Sequence, residues 1–202
     1  MKKYWIVVAD QKEIPLIDSL IKFDIEAEFH VCGIGLLESV YHFSETLCKA
    51  AELPAGILLA GTAGSPDSDD LFKVCLTNQF LYPQFLFEEL PEFLPEKWST
   101  QSFLPESICR AYLDKPVYSS FGISKNTKHF SECMLPAWEN MEALSLSWIC
   151  YKRKIPFMAL LCCTNALGSR SRQEWKENYI QAGKVLQEEL RRIFKNVSPK
   201  VF

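Results

Sequence analysis

The stretch "IPFMALLCCTNALGSRSRQEW", residues Ile155 to Trp175, decides the fold. Its first half has the composition of a buried strand and ends on Thr164 and Asn165. A small polar loop that carries arginines follows, and Trp175 opens a segment with the character of a helix. Ligands of open α/β sheets bind beyond the carboxyl ends of the strands. Asn165 is therefore a candidate for contact with a ligand.

The same alternation of strand and helix runs through the rest of the chain. Strand-like segments cover residues 4–9, 26–32, 55–61, 72–82 and 116–123, and helical spacing covers 14–23, 36–53, 136–154 and 174–194. Residues 62–70 are predicted to form a loop and 83–105 irregular segments. Such alternation predicts a three-layer α/β fold with a central twisted, mostly parallel or mixed sheet flanked by helices. We find no linker, repeat or low-complexity tract, so one domain over residues 1–202 is expected.

Composition excludes several classes of function. The chain has 202 residues, of which 48% are hydrophobic and 23% charged, and its net charge is −3. A nucleic-acid-binding surface usually needs a basic face, so no nucleic-acid partner is predicted. No apolar run approaches the ~20 residues that span a bilayer, which predicts no membrane partner. The N-terminal apolar stretch is too short for a signal peptide and meets Asp10, which favours a cytoplasmic location.

The cysteines and histidines predict no metal site. None of the eight cysteines forms a C-x-x-C pair, and several lie inside apolar runs. Buried free thiols of a cytosolic protein are the plain interpretation, because free cysteine behaves as a small hydrophobic residue. The three histidines are scattered along the chain and have no metal-ligand spacing.

Four small clusters fall at strand ends or helix starts, where chemistry could take place. They are Glu13, "CGIG" at 32–35, "GTAG" at 61–64, and "WENMEA" at 138–143 together with the "TN" that ends the next strand. Glycine lets a backbone approach a ligand closely. Taken singly, each cluster also has a structural interpretation: a tight turn, a solvated Glu13, or a Glu142 that caps backbone N–H groups. "GIGLLE" is not a dinucleotide fingerprint, because Glu38 stands where the third glycine belongs.

The order and spacing of these clusters resemble those of the nucleoside phosphorylase and nucleosidase superfamily. In that family an early strand delivers a glutamate, and a "GIG" turn, a "G-T/S-A-G" segment, a "(E/N)MEG-A" helix and a strand ending in Ser-Asp or Ser-Asn follow. Here these read "VVADQKEIPLI", "HVCGIGLLESV", "ILLAGTAGS", "WENMEALSLSWIC" and the opening stretch. The likeness covers nearly the whole chain. It is closest to the futalosine hydrolase branch, where an asparagine ends the strand and an Arg/Trp segment follows.

The resemblance implies a role for each matching residue. Glu13 matches the glutamate that orients the attacking water, and Glu142 matches the acid that holds the ribose 2′ and 3′ hydroxyls. Asn165 matches the residue that faces the purine base. The implied substrate-binding residues are Thr62, Ala63 and Gly64 around base and ribose, Phe121 near the base-stacking position, and Asn140 with Met141, which packs beneath the sugar. No cofactor or metal is implied.

The implied chemistry is coherent. Loss of a purine from ribose passes through an oxocarbenium-like cation that nearby carboxylates stabilise. The departing base gains negative charge, which a donor at N7 relieves. An aspartic acid there could donate a full proton. The amide of Asn165 can donate only a hydrogen bond, which better suits a 6-oxopurine than adenine.

Hydrolysis of a purine nucleoside such as futalosine is therefore our leading hypothesis. A glycine-rich phosphate cradle with clustered arginines is not visible, which disfavours phosphorolysis. Two alternatives stay open: another nucleosidase or a phosphorylase of the same fold, and a diverged, non-catalytic nucleoside-binding homologue, since the bulky Leu144 follows the Glu142 motif. A homodimer or larger oligomer is expected, with the aromatic segment 85–98 offering an apolar interface.

Overall fold

The centre of the molecule is a parallel group of strands. In the computed structural model the described residues are 3–13, 27–82, 95, 97–120 and 137–196. Strand β1 (Tyr4–Val8) pairs in parallel with β2 (Ala27–Val31) on one side and with β3 (Gly56–Ser65) on the other. β3 in turn pairs in parallel with β9 (Phe157–Ala166). Both β3 and β9 are ten residues long and almost entirely buried, which explains their continuous apolar character.

Shorter strands extend this centre into a mixed sheet, which has nine strands among the described residues. They are β4 (Val74–Thr77), β5 (Gln79–Leu81), β6 (Lys97–Ser99), β7 (Val117–Tyr118) and β8 (Trp138–Glu139). The pairs β3–β8, β4–β9 and β5–β6 are antiparallel, whereas β5–β7 and β7–β8 are parallel. The prediction of a mixed sheet is thus confirmed.

Helices cover both faces of the sheet, as predicted. Within the described ranges the α-helices are α1 (Leu36–Lys49), the single turn α2 (Glu106–Cys109), α3 (Ala143–Arg153) and α4 (Ser171–Asn196). Alternate residues of β3 separate two cores, with Ile57 and Leu59 in one and Leu58 and Ala60 in the other. The first core takes its helical side chains from α1 and α3, and the second takes them from α4. This alternation is the period-2 pattern of a strand buried on both faces.

The structure corrects several predicted boundaries. Residues 62–65, predicted as loop, continue β3, because β9 pairs with that strand as far as Ser65. The segment 72–82, predicted as one strand, is split into β4 and β5. The helix predicted from residue 136 begins at Ala143, since Trp138 and Glu139 pair with β7 instead.

Some predictions lie outside the described residues. These are the helix over 14–23, most of the aromatic segment 85–98, and Phe121. The described end of the aromatic segment contains Trp98, which is buried in β6 and packs edge-on against Trp148. Among the described helices, none is long and apolar enough to cross a membrane.

Helix α1 presents an apolar face to the surroundings. Its spacing predicted the helix correctly, but Leu37, Val40 and Tyr41 are exposed, with Leu37 at 73%. The buried side of α1 is formed by Ser39, Phe43 and Leu47.

A β-bulge interrupts the pairing of β3 with β9 near the carboxyl end. Ala63 lies opposite Cys163, but Gly64 lies opposite Asn165, so Thr164 is the extra residue. A bulge re-aims the side chains around it and is frequent beside active sites. Both Thr164 and Asn165 consequently reach the same cavity at the strand ends.

Candidate active site

A cavity of about 430 Å³ lies at the carboxyl ends of β3 and β9. The 3₁₀ turn Gln11–Glu13, the start of α3 and the first turns of α4 complete its walls. All the predicted site residues within the described part of the chain line it: Glu13, Thr62, Ala63, Gly64, Asn140, Met141, Glu142 and Asn165. The structure therefore brings together side chains that are far apart in sequence, and Phe121 is the predicted member outside the described residues.

Glu13 enters the cavity from the turn that follows β1. The turn is closed by a hydrogen bond from the Glu13 backbone N–H to the Asp10 carbonyl oxygen, at 3.0 Å. The half-buried Glu13 carboxylate accepts a hydrogen bond from the Thr62 hydroxyl at 3.3 Å. A Cβ built on Gly61 would come within 3.7 Å of Glu13 Oε2, so β3 runs directly beneath this acid.

Glu142 enters from the opposite wall, immediately before α3. Only 5% of it is exposed, and its Oε1 accepts a hydrogen bond from the Gly35 backbone N–H at 2.7 Å. Gly33 and Gly35 have φ values of 85° and 86°, which are rarely adopted by residues other than glycine. The "GIG" turn is thus shaped to deliver a backbone donor to Glu142. The Asn140 side chain and nearby backbone N–H groups also act on this carboxylate, which is therefore firmly anchored in the cavity wall.

The two acids are electrostatically coupled. Burial, followed by the nearby charge of Glu142, raises the pKa of Glu13 to about 8. Burial raises the pKa of Glu142 to about 7, although the hydrogen bond from Gly35 opposes that rise. No basic side chain in the described part of the chain forms an ion pair with either acid. Two coupled carboxylates repel each other when both are ionised. A positive charge that develops between them offsets this repulsion and stabilises the doubly ionised form.

Asn165 is 3% exposed, and its neighbours orient its amide. Its Oδ1 accepts a hydrogen bond from the Thr164 hydroxyl at 3.0 Å, and its Nδ2 donates to the Ala166 carbonyl at 3.2 Å. A Cβ on Gly64 would lie 2.8 Å from Asn165 Nδ2, so glycine there leaves room for the amide. Because an amide nitrogen carries two protons, one N–H remains for an acceptor on a ligand.

Asn140 organises the start of α3. Its Oδ1 accepts hydrogen bonds from the backbone N–H groups of Glu142 and Ala143, at 2.9 and 2.7 Å. Its Nδ2 donates to the Thr62 carbonyl at 3.0 Å. Most of the hydrogen-bonding capacity of this predicted substrate-binding residue therefore anchors Glu142 to β3.

Leu144 does not obstruct the cavity. Its side chain is 8% exposed and belongs to the core beneath α1 and α3, and it does not line the cavity. Its backbone N–H donates to the Ser119 hydroxyl at 2.9 Å. The large residue after the Glu142 motif is thus accommodated by core packing.

Sequence reasoning missed the wall contributed by α4. Residues Arg172, Trp175, Lys176 and Tyr179 line the cavity at helical spacing. The signal was present in the sequence, because a helix that directly follows the strand carrying Asn165 must place one face of its first turns beside that strand's end. Within the described residues, no cluster of three or more His, Cys, Asp or Glu side chains could hold a metal ion.

Comparison with known proteins identifies the fold. No protein-family model and no curated protein matches the chain. Among solved structures, the futalosine hydrolase of Helicobacter pylori strain 26695 superposes with a TM-score of 0.80 at 14% identity, covering 97% of this chain and 98% of that one.

Two further nucleosidases show the same likeness. The 5′-methylthioadenosine/S-adenosylhomocysteine nucleosidase of H. pylori gives a TM-score of 0.78 at 16% identity, over 98% of this chain and 99% of that one. The Arabidopsis thaliana 5′-methylthioadenosine nucleosidase gives 0.78 at 12% identity, over 99% and 97%. The fold is that of the nucleoside phosphorylase and nucleosidase superfamily, as the sequence predicted.

Proposed function

We propose that the chain is a single-domain N-ribosyl hydrolase that cleaves the glycosidic bond of a purine nucleoside and releases the free base. One observation carries this proposal. Two coupled carboxylates, Glu13 and Glu142, and the amide of Asn165 meet in one cavity at the strand ends. The structural neighbours that share this fold are nucleosidases, which supports the same reaction class.

The acids suit the charge that develops in glycoside cleavage. As the C1′–N9 bond breaks, positive charge grows on the sugar, and fixed carboxylates stabilise it without reorganisation. Glu142, which lines the cavity and is anchored by the Gly35 N–H, accepts hydrogen bonds from the ribose hydroxyls in this proposal. Glu13 accepts a proton from the attacking water, a role that needs its ionised form.

The base end of the cavity supports a 6-oxopurine, as in futalosine. The spare N–H of Asn165 can donate a hydrogen bond to N7 of the departing base, but an amide has no acidic proton to transfer. A 6-oxopurine leaves as a more stable anion than adenine does and has less need of protonation. The proposed substrate class is therefore an inosine-like nucleoside, with futalosine as its leading example.

Water is favoured over phosphate as the nucleophile. A phosphate anion beside Glu13 and Glu142 would meet like charge in a partly desolvated site. Of the basic residues that line the cavity, Lys12, Arg172 and Lys176 are all exposed. These cationic side chains are solvated, and none of them forms an ion pair with Glu13 or Glu142 in the described structure.

A base-release screen tests the proposal. Wild-type protein is incubated with inosine, futalosine and adenosine, with and without phosphate, and free base is quantified by chromatography. We expect release from the 6-oxopurine nucleosides that phosphate does not accelerate. Release that requires phosphate would identify a phosphorylase. Nucleoside binding without turnover would identify a non-catalytic homologue, and Glu13→Gln serves as the inactive control.

We also propose a homodimer formed through the apolar face of α1. Leu37, Val40 and Tyr41 are exposed, and the neighbouring Ile34, 57% exposed, lines the cavity mouth. An apolar patch that reaches a ligand site fits a subunit contact that shields the ligand. Light scattering should give a dimer for the wild type and a monomer for Leu37→Glu. Ile180→Glu is the control and should remain a dimer, because Ile180 is an exposed apolar residue on α4, outside the proposed interface. A wild-type monomer at micromolar concentration would remove this proposal.

We propose a cytoplasmic location because the cysteine side chains are free thiols. The seven cysteines in the described part of the chain are all unpaired, and several are fully buried. Thiols persist in this form in a reducing compartment.

A further inference from the structure

We infer that Trp175 is a positioning residue for Glu13: its indole N–H fixes the Thr62 hydroxyl so that the hydroxyl proton is given to the Glu13 carboxylate. Trp175 closes the Arg/Trp segment that follows Asn165, but the sequence assigned it no role at the site. The inference rests on the proposed function for its kinetic consequence, but its structural content can be measured without any substrate.

The direction of the hydrogen bonds follows from the chemistry of the donors. Trp175 Nε1 lies 3.1 Å from Thr62 Oγ1, and Thr62 Oγ1 lies 3.3 Å from Glu13 Oε1. An indole N–H can only donate, so the Thr62 oxygen must be the acceptor in the first contact. The single hydroxyl proton of Thr62 is then left for Glu13. Without the indole N–H, the hydroxyl is free to rotate and to accept from a water.

Trp175 is itself held in place by its helix. Next to it, Glu174 accepts a hydrogen bond from the Ala166 backbone N–H at 3.0 Å, and Asn178 donates to the Thr164 carbonyl at 2.9 Å. The half-buried indole stacks on Tyr179 with ring centroids 5.1 Å apart and planes at 19°. The start of α4 is thereby fastened to the tip of β9, and it carries the indole to Thr62 on β3.

The Thr62 hydrogen bond opposes the other influences on Glu13. Burial, the charge of Glu142 and the charge of Asp10 all raise the pKa of Glu13, whereas the Thr62 hydroxyl lowers it. Among the described residues, titratable groups share the cavity with Glu13 or act on its charge from several elements: Asp10 and Lys12 on its own turn, Cys32 after β2, Glu139 and Glu142 before α3, and Arg172, Lys176 and Tyr179 on α4. Loss of the Thr62 donor therefore moves the pKa of Glu13 still further above neutral pH.

A substrate-free titration tests this directly. The side-chain carboxyl carbons of ¹³C-glutamate-labelled protein are followed by NMR against pH, and the Glu13 signal is assigned by its loss in Glu13→Gln. We expect Thr62→Val to move the Glu13 midpoint up by roughly one pH unit, the scale of one hydrogen bond to a charged acceptor. Thr62→Ser, which keeps the hydroxyl, should stay near wild type.

The decisive comparison is a double-mutant cycle. Trp175→Phe keeps an aromatic ring but removes the N–H, and we expect it to move the midpoint in the same direction by a smaller amount. In the double variant Trp175→Phe/Thr62→Val the shift should equal that of Thr62→Val alone, because Trp175 acts through Thr62. Additive shifts, or no shift in Trp175→Phe, would overturn the inference.

Trp98→Phe provides the matched control. The buried Trp98 Nε1 has no hydrogen-bond partner within the described structure, so the same substitution removes an unused N–H. Its Glu13 midpoint should equal that of wild type. A shift as large as that of Trp175→Phe would show that loss of any buried indole disturbs the site, which would overturn the assignment of Trp175.

Kinetics supply the second readout. If the chain hydrolyses a purine nucleoside, the rise of kcat with pH should move upward in Trp175→Phe by the NMR shift, with KM nearly unchanged. An equal fall in kcat at every pH would indicate a purely structural role and overturn the inference. Absence of turnover in wild type would refute the proposed function and leave the NMR cycle as the test of the Trp175–Thr62–Glu13 chain.

Discussion

Replacement of Glu142 by glutamine separates the charge of this residue from its shape. The glutamine side chain oxygen can still accept the 2.7 Å hydrogen bond from the Gly35 N–H, so the "GIG" turn and α3 should keep their positions. The negative charge that, in the proposed reaction, faces the developing sugar cation disappears. Loss of one preorganised electrostatic contact of this kind lowers kcat by about 10²–10³, or on the order of 3–4 kcal/mol.

The same change should also alter the pH dependence in a defined direction. The pKa of Glu13 is about 8 because of burial and, after that, the charge of Glu142. Removal of that charge lowers the pKa of Glu13 by roughly one to two units, the scale of two carboxylates that share one cavity. Glu13 must be ionised to act as the base, so the rise of kcat with pH moves to lower pH in the variant. The deficit of the variant relative to wild type is then smaller at pH 6 and larger at pH 9.

The assay is release of hypoxanthine from inosine, or of the equivalent base from the nucleoside found in the screen, across that pH range. Asp10→Asn is a graded control, because Asp10 raises the pKa of Glu13 less than Glu142 does, and its profile should move the same way by a smaller amount. Parallel profiles for wild type and Glu142→Gln would show that the acids do not act on each other in the complex. Unchanged kcat would remove Glu142 from the site.

Three further predictions follow from the same geometry. Glu13→Gln should lower kcat with little change in nucleoside affinity, because Glu13 acts on the attacking water. Stopped assays measure kcat and equilibrium binding measures the affinity; weakened binding with a normal kcat would contradict the prediction. Asn165→Asp should lower kcat/KM for inosine and raise the adenosine-to-inosine ratio, since an aspartic acid can donate a full proton; an unchanged ratio in competition assays would refute the role of the amide. In the folded state the pKa of Glu142 is about 7, above its ordinary value of 4.5, so the wild type loses stability as pH rises between these values. Glu142→Gln escapes that loss, and its Tm relative to wild type should rise between pH 5 and pH 8 by an amount equivalent to at most about 3 kcal/mol; a constant Tm difference would contradict this.

The long, strongly patterned elements could be predicted from the sequence. β1, β2, α1, β9 and α4 fall where apolar runs and helical spacing place them, because their burial pattern is set by local period. Motif spacing likewise indicated Glu13, Glu142 and Asn165, which the fold gathers into one cavity. These residues stand at the ends of strands or starts of helices, and the topology of a parallel sheet brings such positions together.

The errors arose where tertiary pairing outweighs local preference. Thr62, Ala63, Gly64 and Ser65 are small residues typical of a loop, yet they remain in β3 because β9 supplies their hydrogen-bond partners. The spacing of Trp138 and Glu139 relative to later apolar residues is typical of a helix, but both residues pair with β7 instead. Asn140, which lies before the first residue of α3, then accepts hydrogen bonds from the N–H groups at the start of that helix. Such partners are far away in sequence and leave no local signal.

Trp175 shows a third kind of limit. Its position at the start of a helix was expected, but its bond to Thr62 depends on how closely α4 lies against β3. That distance is fixed by Glu174 and Asn178, which tie α4 to the end of β9. The sequence indicates which residues of α4 share the face that lies beside the strand ends. Only the packed structure shows which of them contact residues of β3.

The bulge at Thr164 divides β9 into two parts that are under different packing constraints. Up to Cys163 the strand is held in register with β3 by the core, where a change of size disturbs many neighbours. Beyond the extra residue, Asn165 faces the glycine at position 64, and its surroundings are a cavity. A substitution at Asn165 therefore disturbs fewer core neighbours than one earlier in the strand, because Asn165 belongs to neither of the two large hydrophobic cores. If the proposed function holds, this arrangement would allow the preference for the leaving base to change at position 165 while the scaffold stays the same.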